Sequence, residues 1–87
     1  MKPKQNPDTT IEQVADELLV LDRARDQLHR LNVTASWVFS RCDGKTTTAQ
    51  LLDGLMAQFD VDRATAERDI AAMLLQLESL GLIDQGP

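Results

Sequence analysis

Residues 27–44 read Gln-Leu-His-Arg-Leu-Asn-Val-Thr-Ala-Ser-Trp-Val-Phe-Ser-Arg-Cys-Asp-Gly, and the apolar period of this run changes in its middle. Before Asn32, the short apolar pattern of Leu28 and Leu31 indicates a strand. After Asn32, apolar residues recur at the spacing of one buried helical stripe: Ala35, Val38, Phe39 and Cys42. Asn32 is a favourable helix N-cap, and Gly44 is expected to close the helix because Gly readily adopts the left-handed conformation.

Upstream of this joint, the sequence predicts a tail and three short strands. Residues 1–8 are polar with two prolines and predict a flexible tail. Residues 9–15 begin with β-branched residues and alternate weakly, residues 18–22 form a short apolar run, and residues 27–31 form the third strand. One helix over 16–31 is the alternative, since that segment lacks Gly and Pro and its apolar spacing also fits a helix.

Downstream of the joint, two more helices are expected. Thr47-Thr48-Ala49-Gln50 has the Thr-x-x-Gln pattern of a capping box and opens a second helix that ends near Phe59. Asp62 is the expected N-cap of the third and longest helix, and Gly81 marks its end. Leu82-Ile83 should return to the core, followed by a tail at 84–87. The apolar face of the third helix comprises Ala66, Ile70, Met73, Leu74, Leu77 and Leu80.

Composition bounds the function classes. The chain has 87 residues, 43% of them hydrophobic, which fits one small globular domain. Its net charge of −5 disfavours nucleic acid and anionic membrane surfaces as partners, because phosphate contacts need clustered Lys or Arg. No apolar run reaches the length of a membrane helix, and the N-terminus lacks the pattern of a signal peptide, so we expect a cytoplasmic protein.

The residues that carry chemistry are sparse. Cys42 is the single cysteine and excludes an internal disulfide, while His29 is the single histidine and leaves no ligand cluster for a metal. The four glycines are isolated, so there is no Gly-rich phosphate loop. We therefore expect no enzymatic activity, no metal and no cofactor.

Trp37 lies off the buried stripe of the first helix, with Val33 one turn earlier on the same side. An outward Val33–Trp37 pair would suit a partner contact or a homodimer. The alternative is that Trp37 packs at the edge of the sheet or under the N-terminal segment.

Taken together, several motifs in order resemble the PqqD-like family over roughly residues 10–83. They are Leu31-Asn32-Val33-Thr34-Ala35, Val38-Phe39, Asp43-Gly44-Lys45-Thr46-Thr47, Phe59-Asp60-Val61-Asp62 and Leu80-Gly81-Leu82-Ile83. The resemblance favours strands over the helical alternative at 16–31. It implies an α+β fold similar to a winged helix-turn-helix, with a three-stranded antiparallel sheet followed by three helices, in a domain spanning residues 9–84.

The resemblance also implies a function. Members of the family bind the leader segment of a precursor peptide and present it to a modifying enzyme such as a radical SAM maturase. The peptide adds as a strand beside the third strand and packs against the third helix. On the strand, Leu28, His29, Arg30 and Leu31 would pair with the peptide. On the helix, the expected groove floor is Ile70, Met73, Leu74 and Leu77, with Asp69 and Gln76 on one shoulder.

That mechanism suits the residues. An edge strand leaves backbone groups that a peptide can complete. Leu28 and Arg30 should point to one face and His29 and Leu31 to the other, with Leu31 fitting the core side better. Met73 is the best groove candidate because its side chain adapts to varied ligands. A DNA-binding winged helix and a dimeric scaffold are the alternatives, although the acidic residues of the helices suit DNA poorly.

Overall fold

The structure, a computed structural model, describes residues 2–84. Eight elements follow in order. The strands are β1 (Lys4–Gln5), β2 (Thr9–Val14), β3 (Glu17–Asp22), β4 (Gln27–Leu31) and β5 (Ile83–Asp84), and the helices are α1 (Val33–Ser40), α2 (Thr48–Phe59) and α3 (Arg63–Ser79). None of these helices combines the length and the apolar composition needed to cross a membrane.

Strands β2, β3 and β4 form an antiparallel sheet in sequence order, with β3 in the centre. The two-residue turn Ala15–Asp16 joins β2 to β3 and closes on the pair Val14↔Glu17. Strand β4 pairs with β3 from Leu18↔Leu31 to Asp22↔Gln27. A three-stranded antiparallel sheet followed by three helices is the predicted fold, and strands rather than a helix occupy 16–31.

The helices begin at their predicted caps. Asn32 accepts a hydrogen bond from the Ala35 backbone N–H at 2.8 Å, and the Asp62 carboxylate accepts from Thr65 at 2.7 Å. The capping box of Thr47 and Gln50 is present in both directions. These caps satisfy amide groups that have no partner within the helix, so the predicted starts are confirmed.

The first helix ends earlier than predicted. α1 stops at Ser40, and Arg41 is its C-cap, because the Arg41 N–H bonds to Val38 and the Cys42 N–H bonds to Phe39 in a tighter final turn. Gly44 does have positive φ, +78°, but it lies in the following loop rather than at the helix end. Cys42 therefore follows the helix, although its side chain is fully buried.

The predicted flexible tail at 1–8 is instead bonded to the domain at residues 4–6, and its first residue lies outside the described residues. β1 pairs antiparallel with β5, which also corrects the predicted tail at Asp84. The Gln5 N–H bonds to the Cys42 carbonyl at 2.8 Å, and the Asn6 N–H bonds to the Leu82 carbonyl at 2.9 Å. Backbone pairing rather than an apolar pattern orders this segment. The remainder of the predicted C-terminal tail, residues 85–87, lies outside the described residues.

The core lies between the inner face of the sheet and the three helices. Val20 from β3 and Phe39 from α1 are fully buried, and Leu51 and Leu55 of α2 close the opposite side. Leu82 and Ile83 return to this core as predicted. α3 contributes Ala66, Ile70, Leu74 and Leu77. This arrangement places α3 beside β4 at one edge of the sheet.

Candidate functional site

A groove of about 330 Å³ lies between β4 and α3. Most of the predicted peptide-binding residues line it: Leu28, His29, Arg30, Leu31, Met73, Gln76 and Leu77. The prediction missed Asn32, Ala35 and Leu80, which also line the groove. Asp69, Ile70 and Leu74 do not line it.

Strand β4 is an edge of the sheet, since β3 is its strand neighbour and no other strand of the described residues pairs with it. The Ser36 hydroxyl accepts a hydrogen bond from the Leu18 N–H and donates one to the Leu31 carbonyl, both at 2.9 Å. The Leu18 N–H on β3 thus points toward β4, and the Leu31 C=O on β4 points toward β3. Because backbone direction alternates along an antiparallel strand, Leu28 and Arg30 direct their N–H and C=O groups to the open edge.

The side chains of those two residues lie on the outer face of the sheet. Leu28 is 64% exposed. The Arg30 guanidinium donates to the Glu17 carboxylate on β3, with Nε 2.9 Å from Oε1. Arg30 is therefore already ion-paired on the outer face of the sheet.

His29 and Leu31 lie on the inner face, as their register partners Val20 and Leu18 do. Leu31 is buried, in agreement with its expected core orientation. His29 is half-buried at the groove, and its Nε2 is buried without a hydrogen-bond partner among residues 2–84. Side chains from both faces of β4 thus border the groove, and the inner pair forms its wall.

On α3, the predicted residues divide by burial. Met73 is half-buried at the groove, and Gln76 is exposed at its rim. Ile70 and Leu74 are 2% and 3% exposed and belong to the core, so the expectation that they floor the groove is wrong. Asp69 is exposed on α3 away from the groove. One helical turn separates Met73 from Leu77, and together they form the helical wall.

A side chain that the sequence did not single out, Arg25, bonds to the backbone at Leu80, one of the residues that line the groove. The Arg25 Nη1 donates to the Leu80 carbonyl at 2.8 Å and lies 3.7 Å from the Asp22 carboxylate. Asp22 is buried, and its other oxygen accepts from the Ala24 and Arg25 backbone N–H groups. A side chain at position 81 would displace Arg25, because a Cβ there would lie 1.8 Å from Nη1, and Gly81 avoids this clash. Arg25 therefore ties the β3–β4 connection to the end of α3.

The Val33–Trp37 pair does not face outward together. Trp37 is half-buried and packs edge-on against Phe59, with ring centroids 6.1 Å apart. The Arg41 guanidinium lies 4.1 Å above the Trp37 ring. Gly54 leaves room for the indole, since a Cβ there would lie 2.7 Å from it. Trp37 thus packs inward against α2, which is neither the outward contact nor the stated alternative at the sheet edge or under the N-terminal segment. Val33 remains 43% exposed.

Cys42 is the ionisable group outside the groove whose pKa departs furthest from its ordinary value. Burial, with a smaller contribution from Asp43, raises the pKa of the Cys42 thiol to about 12, so it stays protonated at neutral pH. Within residues 2–84, no three His, Cys, Asp or Glu side chains cluster in a way that could hold a metal ion.

Comparison with known proteins places this geometry in a family. Residues 17–83 match the family model described as coenzyme PQQ synthesis protein D (PqqD). The chain is 35% identical over 48 residues to a "PqqA binding protein" of Rhodopseudomonas palustris (strain ATCC BAA-98 / CGA009); this match covers 55% of the chain and 47% of the relative, about half its length.

Two solved structures share the fold over nearly the whole chain. A lasso peptide synthetase B1 complexed with the leader peptide superposes with a TM-score of 0.84 at 26% identity, covering 97% of this chain and 99% of the other. TbiB1 in complex with the TbiA(beta) leader peptide gives 0.87 at 23% identity, covering 97% and 98%, and supports the fold alone. The match of the family model over most of the chain establishes that this protein belongs to the PqqD family.

Proposed function

We propose that the protein binds an extended segment of a precursor peptide by strand addition at β4 and presents it to a peptide-modifying enzyme. The observation that carries this proposal is the open edge of β4 beside the groove on α3. A peptide on this edge would bond to the free backbone groups of Leu28 and Arg30. These bonds would supply affinity that depends little on peptide sequence.

Sequence preference would come from the groove. Alternate side chains of an added strand point to opposite faces, so every second peptide residue would enter the space between β4 and α3. Met73, Leu77 and Leu80 offer an apolar wall there, and Gln76 and His29 offer polar groups. We therefore propose a peptide with apolar residues at alternate positions and a polar side chain near His29.

We further propose that the protein itself is not an enzyme and acts in the cytoplasm. The groove contains one imidazole and no carboxylate or thiol among its lining residues. Chemistry would then belong to the enzyme that receives the peptide. The leader-peptide complex of the lasso synthetase relative and the name of the PqqA-binding relative support this division of labour.

Proline substitution at the edge tests the proposal. Arg30→Pro removes an outward N–H that the sheet does not use, and proline is tolerated at such edge positions. Gln13→Pro is the matched control, because the same alternation directs the Gln13 N–H to the opposite edge. Affinity capture from the native cell, read by mass spectrometry, should recover a gene-encoded peptide and its modifying enzyme with wild type and Gln13→Pro but not with Arg30→Pro. Equal recovery by both variants would contradict strand addition at β4.

A further inference from the structure

The outer face of the three-stranded sheet, which is turned away from the helices, carries a cluster of aliphatic side chains. Val14 on β2, Leu19 and Leu21 on β3 and Leu28 on β4 point to this face, because they alternate with the inward-facing residues of their strands. Val14 and Leu28 are 52% and 64% exposed, and Leu19 and Leu21 are half-buried. These four side chains form the outer patch.

Strand β3 has the sequence of a strand that is covered on both faces. Its residues 18–21 read Leu-Leu-Val-Leu, a continuous apolar run. A strand with one face in solvent usually alternates apolar and polar residues, whereas continuous apolar runs are typical of strands buried on both sides. Leu18 and Val20 are buried under the helices. Within residues 2–84, Leu19 and Leu21 belong neither to the core nor to the partly buried residues packed against it. The sequence of β3 therefore indicates a second partner on the outer face.

The outer face is nearly uncharged, although the net charge of the protein is −5. Among the paired residues of β2, β3 and β4 on this face, Glu17 and Arg30 neutralise each other, and Glu12 is the remaining charged residue. A pocket of about 160 Å³ opens between this ion pair, Val14 and Leu19. Because the centres of protein interfaces are depleted of charge and rich in apolar area, the outer patch suits an apolar protein surface that inserts a side chain into the pocket.

The outer patch is continuous with the edge at which the precursor peptide would add. Leu28 belongs to both, since its backbone faces the open edge and its side chain lies on the outer face. Side chains of the added strand that do not enter the groove would stand beside Leu28 on this face. We propose that the modifying enzyme docks on the outer face and covers the outer patch together with the outward side chains of the bound peptide. The identity of this partner rests on the proposed function.

This composite surface makes the binding of the enzyme depend on the peptide. The helices cover the inner face of the sheet, so the outer face is the side from which an enzyme contacts both chains at once. The free protein offers four aliphatic side chains there, and the loaded protein adds alternate side chains of the peptide. The enzyme therefore binds the loaded protein more tightly, and free copies of the protein compete poorly for it.

Photo-cross-linking from position 14 identifies what covers the patch. Val14 is 52% exposed and accepts benzoylphenylalanine in its place, and Leu75, 62% exposed on α3, is the matched control position. Irradiation of the native cell should join position 14, but not position 75, to the modifying enzyme that is captured with the precursor peptide. Deleting the gene of that peptide should abolish the cross-link. Cross-linking to a second copy, to unrelated proteins or to nothing would overturn the docking surface, and a cross-link that survives the deletion would overturn its dependence on the peptide.

Leu19→Thr separates this inference from the proposed function. Thr keeps a high strand propensity, and Leu19 lies on the central strand rather than at the β4 edge, so the peptide should still bind. Affinity capture should recover the peptide as with wild type but about tenfold less enzyme, the effect of removing one well-packed apolar side chain from an interface. Leu75→Thr is the matched control and should recover both.

Undiminished enzyme with Leu19→Thr would overturn the docking surface and leave peptide binding intact. Wild type that captures no gene-encoded peptide would instead overturn the proposed function, and the enzyme as the named partner with it. Loss of peptide and enzyme together in Leu19→Thr would show an effect on the fold, and the cross-link from position 14 then decides.

Discussion

The Ser36 hydroxyl on α1 bonds to the backbone of both β3 and β4, and removing it should lower the free energy of unfolding by an amount that can be worked out. The side chain is buried at 5% exposure, and its hydroxyl makes two bonds of 2.9 Å, from the Leu18 N–H and to the Leu31 carbonyl. Ser36→Ala removes both bonds. At a net ~0.5–1.5 kcal/mol each, they contribute about 1–3 kcal/mol, and the better helix propensity of Ala returns up to ~0.5 kcal/mol. We therefore expect a loss of about 0.5–2.5 kcal/mol in the free energy of unfolding.

Urea unfolding measures this loss as a lower midpoint with an unchanged m value. Ser40→Ala is the matched control on the same helix, since the Ser40 hydroxyl is exposed and donates to the Trp37 carbonyl within α1. That variant should stay within about 0.5 kcal/mol of wild type. Equal midpoints for the two variants would refute the assignment of Ser36 as the link between β3, β4 and α1.

Three other outcomes follow from packing and titration. Gly54→Ala should lower the melting temperature because the new Cβ would lie 2.7 Å from the Trp37 indole, although Ala in place of Gly normally stabilises a helix by ~1 kcal/mol. In a Trp37→Leu background the same change should raise the melting temperature. A rise with Trp37 present would refute the steric explanation. The hydrogen bond from the Thr65 backbone N–H lowers the pKa of Asp62 in the folded protein. The ionised Asp62 therefore contributes its full stabilisation of the fold above pH ~4, and this contribution is lost as the pH falls through the lowered pKa of the folded state. Asp62→Asn should flatten the acid limb of stability against pH, and an identical limb would contradict that. Cys42, with its pKa raised to about 12, should react with iodoacetamide at pH 8 only after denaturation, and immediate labelling of the native protein would count against its burial.

Local signals in the sequence predicted the elements that local chemistry controls. Asn32, Thr47 and Asp62 start their helices because each side chain bonds to an amide three residues later. The prediction that a third strand packs beside α3 came from the family resemblance. The same resemblance decided between strand and helix at 16–31. Periodicity alone left those two readings open, since short apolar runs fit both.

Features that depend on distant contacts were not predictable. Lys4–Gln5 is polar and has no strand pattern; it is ordered by bonds to residues near 42 and 82. Trp37 packs inward because Gly54, on another helix, leaves space for the ring. Arg25 bonds to the Leu80 carbonyl only because the fold brings the end of α3 to the β3–β4 connection.

On α3, the sequence pattern also could not separate the residues of the core from those that border the groove. Ile70, Met73, Leu74 and Leu77 share one apolar stripe in the sequence, so periodicity could not tell core from groove. The rotation of α3 against the sheet decides the matter. It buries Ile70 and Leu74 and leaves Met73 partly accessible beside β4. The prediction that an adaptable methionine borders the groove agrees with this geometry.

The most direct measurement of the central claim is amide hydrogen exchange with and without the peptide recovered by affinity capture. In the free protein, the Leu28 and Arg30 amides face the open edge, whereas the His29 amide already faces β3. Peptide addition should protect Leu28 and Arg30 strongly and leave the Gln13 amide, which faces the opposite edge of the sheet, unchanged. Protection that fails to alternate along 28–30, or that appears at β2 instead, would contradict strand addition at β4.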